Sequence, residues 1–201
     1  MSVQYRTTGS WYTRCMKEVE VKARVGNLEE LLDALTAQGI ILGEPLLQED
    51  VIYVRELGSL DTFLANGLFL RLRTLGSGKV LFTAKYNPNR NAEQDMVAEE
   101  YETEIASREA MERIVALLGF SEAVRVRKNR RSAQSGVYEF CVDEVEGLGT
   151  FIEVERMVDE TVEVQVIHDE LLGVLSSLGI PPEDRFTKRY DVMVLEQSLR
   201  S

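Results

Sequence analysis

The sequence predicts an α+β fold built around one large antiparallel sheet. Three observations carry this prediction. Stretches of strict apolar–polar alternation recur along the 201 residues, glycine-bearing turns join most of them, and three segments of helical periodicity interrupt the series.

Taken in order, the alternation opens at residues 18–24, EVEVKAR. Glu18, Glu20, Lys22 and Arg24 fall on one face, while Val19, Val21, Ala23 and Val25 fall on the other. Asn27 then caps a helix with Leu28, Leu31, Leu32 and Leu35 on one side, Glu29 and Glu30 in its first turn and Gly39 at its end. A strand over 48–54 follows, and then strands over 68–74 and 80–86 joined by Gly76-Ser77-Gly78. Residues 87–92 read as a polar loop and 98–105 as another strand. Ser107 caps a second helix, with Met111, Ile114, Val115 and Leu118 as its apolar positions and Gly119 as its stop. Strands over 123–132 and 136–145 come next, and Gly147-Leu148-Gly149 turns the chain into a strand over 150–157. A third helix spans 163–178 and ends at Gly179, where Pro181-Pro182 prevents its continuation. A last strand is expected to begin near Arg185. Eight strands and three helices result, a sheet large enough to close on itself. A short internal echo, Glu18-Val-Glu20 against Glu153-Val-Glu155, each leading into a helix, is compatible with a doubled half-barrel. Met16 opens a second plausible start, so residues 1–15 are expected to be a flexible extension ahead of a single domain over 16–201.

Composition narrows the function. The net charge of -11 argues against nucleic acid as a partner, because phosphate repels an acidic surface. No apolar run approaches the roughly 18 residues of a membrane span, and the first fifteen residues lack a signal-peptide core. Two cysteines, Cys15 and Cys141, suit a reducing cytosol, so a cytoplasmic location is expected. The basic residues gather in three tracts, 71–85, 125–131 and 185–189, which suggests a small anionic ligand. The lone His168 and Cys141 read as a surface and a core residue, and no P-loop is present. A homodimer is compatible with the sequence.

Parity along the strands sharpens this. Arg71 and Arg73 share a face, Lys85 lies with Thr83, and Lys128 lies with Arg130. Glu100, Glu102 and Glu104 share one side, Asp143 lies with Glu139, and Glu153 with Glu155. A solvated sheet face, the simplest reading of any single strand, normally mixes signs and adds Ser or Thr. Segregation of charge by strand favours an enclosed surface. Like charges at about 4 Å repel by roughly 4 kcal/mol at an effective dielectric near 20, so converging carboxylates need cations. Oxygen-only ligation suits Mg²⁺ or Mn²⁺, and clustered Arg and Lys suit phosphate oxygens.

These residues resemble a known series. Glu18-x-Glu20-x-Lys22 resembles the ExExK signature of the CYTH superfamily, the triphosphate tunnel metalloenzymes, which include class IV adenylate cyclases and thiamine triphosphatase. Gln48-x-Asp50-x-x-Tyr53, Leu70-Arg71-Leu72-Arg73, Phe82-Thr83-Ala84-Lys85, Glu100-x-Glu102, Lys128-x-Arg130 and the run from Asp143 to Glu155 are similar, in order, to the later motifs. The resemblance, running from Met16 to about Leu195, implies an eight-stranded antiparallel β-barrel tunnel with helices outside. It implies that Glu18, Glu20, Asp143, Glu153 and Glu155 bind divalent metal. Arg71, Arg73, Lys85, Lys128, Arg130 and, less regularly, Lys188 would bind triphosphate. Lys22 would contact phosphate or position a nucleophile, acting with Glu18 and Glu20 in catalysis. Departures occur at Ala84, Tyr86, Met96, Ala98 and Arg189-Tyr190, where the organic part of a substrate would sit.

The implied reaction is adenylate cyclisation, ATP to cyclic AMP and pyrophosphate, because EVEVKARV and Gln48-x-Asp50-x-x-Tyr53 resemble the cyclase-type branch. The alternative is a triphosphatase acting on tripolyphosphate, thiamine triphosphate or a nucleoside triphosphate. A third possibility is a sensor that binds nucleotide or polyphosphate without turnover.

Overall fold

The computed structural model describes residues 3–7, 10–14, 16–86, 99–159 and 161–200. Its elements in chain order begin with β1 (Val3–Thr7), β2 (Ser10–Arg14), β3 (Met16–Arg24), α1 (Leu28–Ala37), β4 (Leu46–Val54) and α2 (Leu60–Ala65). They continue with β5 (Leu68–Leu75), β6 (Val80–Tyr86), β7 (Glu99–Ile105), α3 (Arg108–Leu117), β8 (Ser121–Ser135) and β9 (Tyr138–Val145). The last are β10 (Gly149–Asp159), α4 (Val164–Ser177), β11 (Arg185–Phe186) and α5 (Tyr190–Arg200). Strands β1 and β2 form a two-stranded sheet of their own, and the other nine are ordered β11-β3-β10-β9-β8-β4-β5-β6-β7. The α+β class and the antiparallel sheet are those expected. The eight main strands expected are joined in the sheet by β11, the short strand expected near Arg185, and among the described residues hydrogen bonds do not close the sheet.

The chain divides into two compact units. The first comprises residues 1–45, 131–143 and 149–187. Here β10 pairs antiparallel with β3 from Phe151↔Arg24 to Asp159↔Met16, and β11 pairs with β3 at Arg185↔Ala23 and Phe186↔Lys22. The alternation places Val19, Val21, Ala23, Ile152 and Val154 on one side, all buried, against Leu31 and Leu35 of α1 and Ile167, Leu171 and Leu175 of α4. Each such fully buried Leu or Ile contributes about 1.5–3 kcal/mol. Helix α1 starts where the sequence places it: Asn27 Oδ1 accepts from the backbone N–H of Glu29 and Glu30 at 3.0 and 3.4 Å.

The second unit comprises residues 46–130, 144–148 and 188–201. Its ladder runs β8-β4-β5-β6-β7. One face carries Val51, Tyr53, Leu70 and Leu72 and is covered by Val115 of α3 and by Phe120. Two helices, α2 and α5, are additions to the three expected. The strand expected near Arg185 does begin there, but it pairs for two residues only, and the chain then turns into α5 at Tyr190. The Val-Met-Val run at 192–194 has strand propensity, yet Tyr190, Asp191 and Val192 are buried together in the first helical turn, and tertiary packing overrides propensity.

Candidate active site

In the first unit the polar side of β3 and β10 is set by register. Glu155 stands directly opposite Glu20, Glu153 opposite Lys22, and Met157 opposite Glu18. Like charges directly opposite one another are destabilising, so this ladder tolerates Glu20 and Glu155 only with compensation. Carboxylate oxygens of Glu18, Glu20 and Glu155 lie within 4.8 Å of one another, a spacing that could hold a cation. Hard carboxylate oxygens with no histidine or cysteine among them match Mg²⁺ or Mn²⁺.

Lys22 sits one step along the same strand. Its Nζ is 2.9 Å from Glu20 Oε1 and 2.8 Å from Glu153 Oε1, with Lys22 and Glu153 both buried. Burial alone would push the ammonium pKa down. The two carboxylates outweigh it, and the group is held above its ordinary value. Lys22 is thus a buried cation clasped by two carboxylates. Asp143 is fully buried in β9. The sequence treats Glu18, Glu20, Asp143, Glu153 and Glu155 as one acidic set. The structure instead groups Glu18, Glu20 and Glu155 as possible ligands and pairs Glu153 with Lys22.

The second unit gathers the cations. Register places Asp50 opposite Arg73, Phe69 opposite Lys85, Lys85 opposite Glu100, Thr83 opposite both Arg71 and Glu102, Gln48 opposite Lys128 and Leu46 opposite Arg130. All these positions share the side of β4–β8 away from α3. Arg73 donates Nε and Nη2 to the two Asp50 oxygens, both at 2.7 Å. Burial would raise the Asp50 pKa, but this bidentate pairing holds it below the ordinary carboxylate value. Arg71 Nη2 reaches Thr83 Oγ1 at 3.2 Å and Glu100 Oε1 at 3.1 Å, and Lys85 Nζ lies 3.6 Å from Glu100. Lys128 is buried, with Nζ 5.2 Å from the centre of the Tyr190 ring.

Lys188 departs from this set. It is exposed and its Nζ is bonded to Glu196 at 2.8 and 2.9 Å. Its neighbour Arg189 instead lies over Phe69. Sequence reasoning assigned no role to Asp50, although it shares parity with Gln48 and faces the arginines. It marked Arg189 as a departure from the family's pattern and gave it no contact, whereas the structure lays it over Phe69.

The sequence pattern described as the CYTH domain matches residues 16–190. A Methanocaldococcus jannaschii protein named "putative adenylate cyclase" is 27% identical over 176 residues, covering 87% of this chain and 97% of the relative. A solved Pyrococcus horikoshii protein superimposes with a TM-score of 0.73 at 26% identity, covering 90% of this chain and 99% of the other. A Hippeastrum protein, described as a putative adenylyl cyclase with a dominant triphosphatase activity, has the same fold at a TM-score of 0.59. Its identity is 20%, and the match covers 92% of this chain and 96% of that one.

Proposed function

Because the chain belongs to the CYTH domain family, we propose that it is a divalent-metal-dependent enzyme acting on a triphosphate. The observation that carries this reading is the grouping of Glu18, Glu20 and Glu155 with their oxygens within 4.8 Å, three carboxylates that a simple anion-binding protein would not need. Glu18, Glu20 and Glu155 would hold Mg²⁺ or Mn²⁺, with Asp143 and Glu153 as supporting acids. The ion, when bound, would offset charge developing on phosphoryl oxygens. Arg71, Arg73, Lys85, Lys128 and Arg130 would bind and orient the phosphate chain, Arg73 being held in place by its paired bonds to Asp50. Lys22 keeps its proton and fixes Glu20 and Glu153 in place.

Two nucleophiles are compatible with these residues. In the first reading the 3′-oxygen of ATP attacks the α-phosphorus, pyrophosphate leaves, and cyclic AMP forms. The name of the M. jannaschii relative supports it. In the second, water attacks a terminal phosphorus and orthophosphate is released, supported by the activity in the description of the Hippeastrum protein. Incubation with ATP, tripolyphosphate and thiamine triphosphate, with Mg²⁺ and then Mn²⁺, followed by chromatography of the products, tests both. Cyclic AMP with pyrophosphate supports the first reading and orthophosphate the second. Binding without product would leave a sensor and defeat the catalytic proposal.

A further inference from the structure

Among the described strand positions on the cationic side of β4–β8, Phe69 is the aromatic one. It stands opposite Lys85 and one step along its own strand from Arg71. A ring beside phosphate-binding cations is a natural platform for a nucleobase, since every base has a π-face to stack. In this chain the platform is already taken. The guanidinium carbon of Arg189 lies 4.8 Å from the Phe69 ring centre. The same guanidinium donates Nε and Nη2 to the two oxygens of Asp191 at 3.0 and 2.9 Å. The Arg189 and Asp191 side chains are 19% and 9% exposed, so the pair is largely withdrawn from solvent screening. The neighbouring ring, Tyr190, is likewise engaged by a cation, Lys128.

We propose that Arg189 is a specificity-determining residue that covers Phe69 against a stacking base, so that the site selects the phosphate chain of a triphosphate over its organic part. A base stacking on that face of the ring must displace a guanidinium held by π-contact and by two charge-assisted hydrogen bonds. The attraction lost is of the same order as the stacking gained. A bare phosphate chain has nothing to displace, and it gains a cation at the ring opposite Lys85. The preferred substrates are then inorganic tripolyphosphate and triphosphates whose organic group does not stack. The inference rests on the triphosphate reading above and selects among its substrates.

Titration calorimetry of tripolyphosphate and of ATP, without metal so that turnover does not intervene, tests it on the whole chain. The wild type is expected to bind tripolyphosphate more tightly than ATP. Arg189→Ala should move the two ligands in opposite directions, ATP tightening about tenfold, within the range of one base–aromatic stack, and tripolyphosphate weakening. Arg189→Lys keeps a charged partner for Asp191, protecting the fold, and should preserve tripolyphosphate binding while admitting ATP. In a Phe69→Leu background, Arg189→Ala should no longer favour ATP. Losses of equal size for both ligands, or a weaker ATP complex, would overturn the specificity role while leaving the triphosphate reading intact. A wild type that binds neither ligand would overturn both.

Discussion

Glu20 and Glu155 face each other across one rung, and this pair separates two roles that formal charge alone cannot. Glu155→Gln relieves like-charge repulsion, so the metal-free protein should melt no lower than wild type, while the upward shift of its midpoint on adding Mn²⁺ should vanish. Differential scanning fluorimetry with EDTA and with Mn²⁺ reads both, and an unchanged Mn²⁺ shift would remove Glu155 from the ligand set. Glu153→Gln should behave differently, because it takes from the buried Lys22 ammonium one of its two counter-charges. A cost of about 2 kcal/mol is expected, measured by urea unfolding. Asp50 gives a pH signature. Its folded pKa lies below the unfolded value of about 3.9, so its contribution is complete above that value. The contribution is lost as pH falls through the folded pKa. Asp50→Asn should therefore flatten the decline in urea midpoint below about pH 4. An unflattened profile would mean that other carboxylates govern the acid limb.

Helix α4 is fastened to the sheet by a polar clamp as well as by its leucines. Glu170 accepts from Tyr138 at 2.5 Å and from Arg156 Nη1 at 2.6 and 2.8 Å. Glu170→Ala should cost about 1 kcal/mol, discounted for partial exposure, with hydrogen exchange accelerating in α4 before the rest of the molecule. At this scale the sequence was informative where a local rule had no competitor. The Asn27 and Ser107 caps set helix starts that the structure reproduces, and parity placed the paired charges of β3, β5 and β10 on one side, with Phe69, Phe151 and Met157 joining them there and Arg156 falling among the valines. It was uninformative where burial decides. The α5 segment reads as strand by its valines and folds as helix. Lys188 and Arg189 are equally basic in sequence, and the structure directs one to Glu196 and the other onto Phe69. Nothing in their spacing distinguishes them.

At the scale of the whole chain, the charge of -11 and the clustered cations make opposite demands on an anionic partner. At 0.15 M salt, tripolyphosphate is expected to raise the thermal midpoint by several degrees once it exceeds its dissociation constant about a hundredfold. A labelled DNA duplex should leave fluorescence anisotropy unchanged. A duplex that binds while tripolyphosphate does not would reverse the assignment. The ladder between β3 and β10 has one more consequence. Because a single twofold rhythm places oil on one side and acid on the other, losing one residue between 150 and 155 would invert the two sides together. Mutational tolerance should therefore be comb-like for replacements and nil for deletions, making chain length, more than residue identity, the property this stretch can least change.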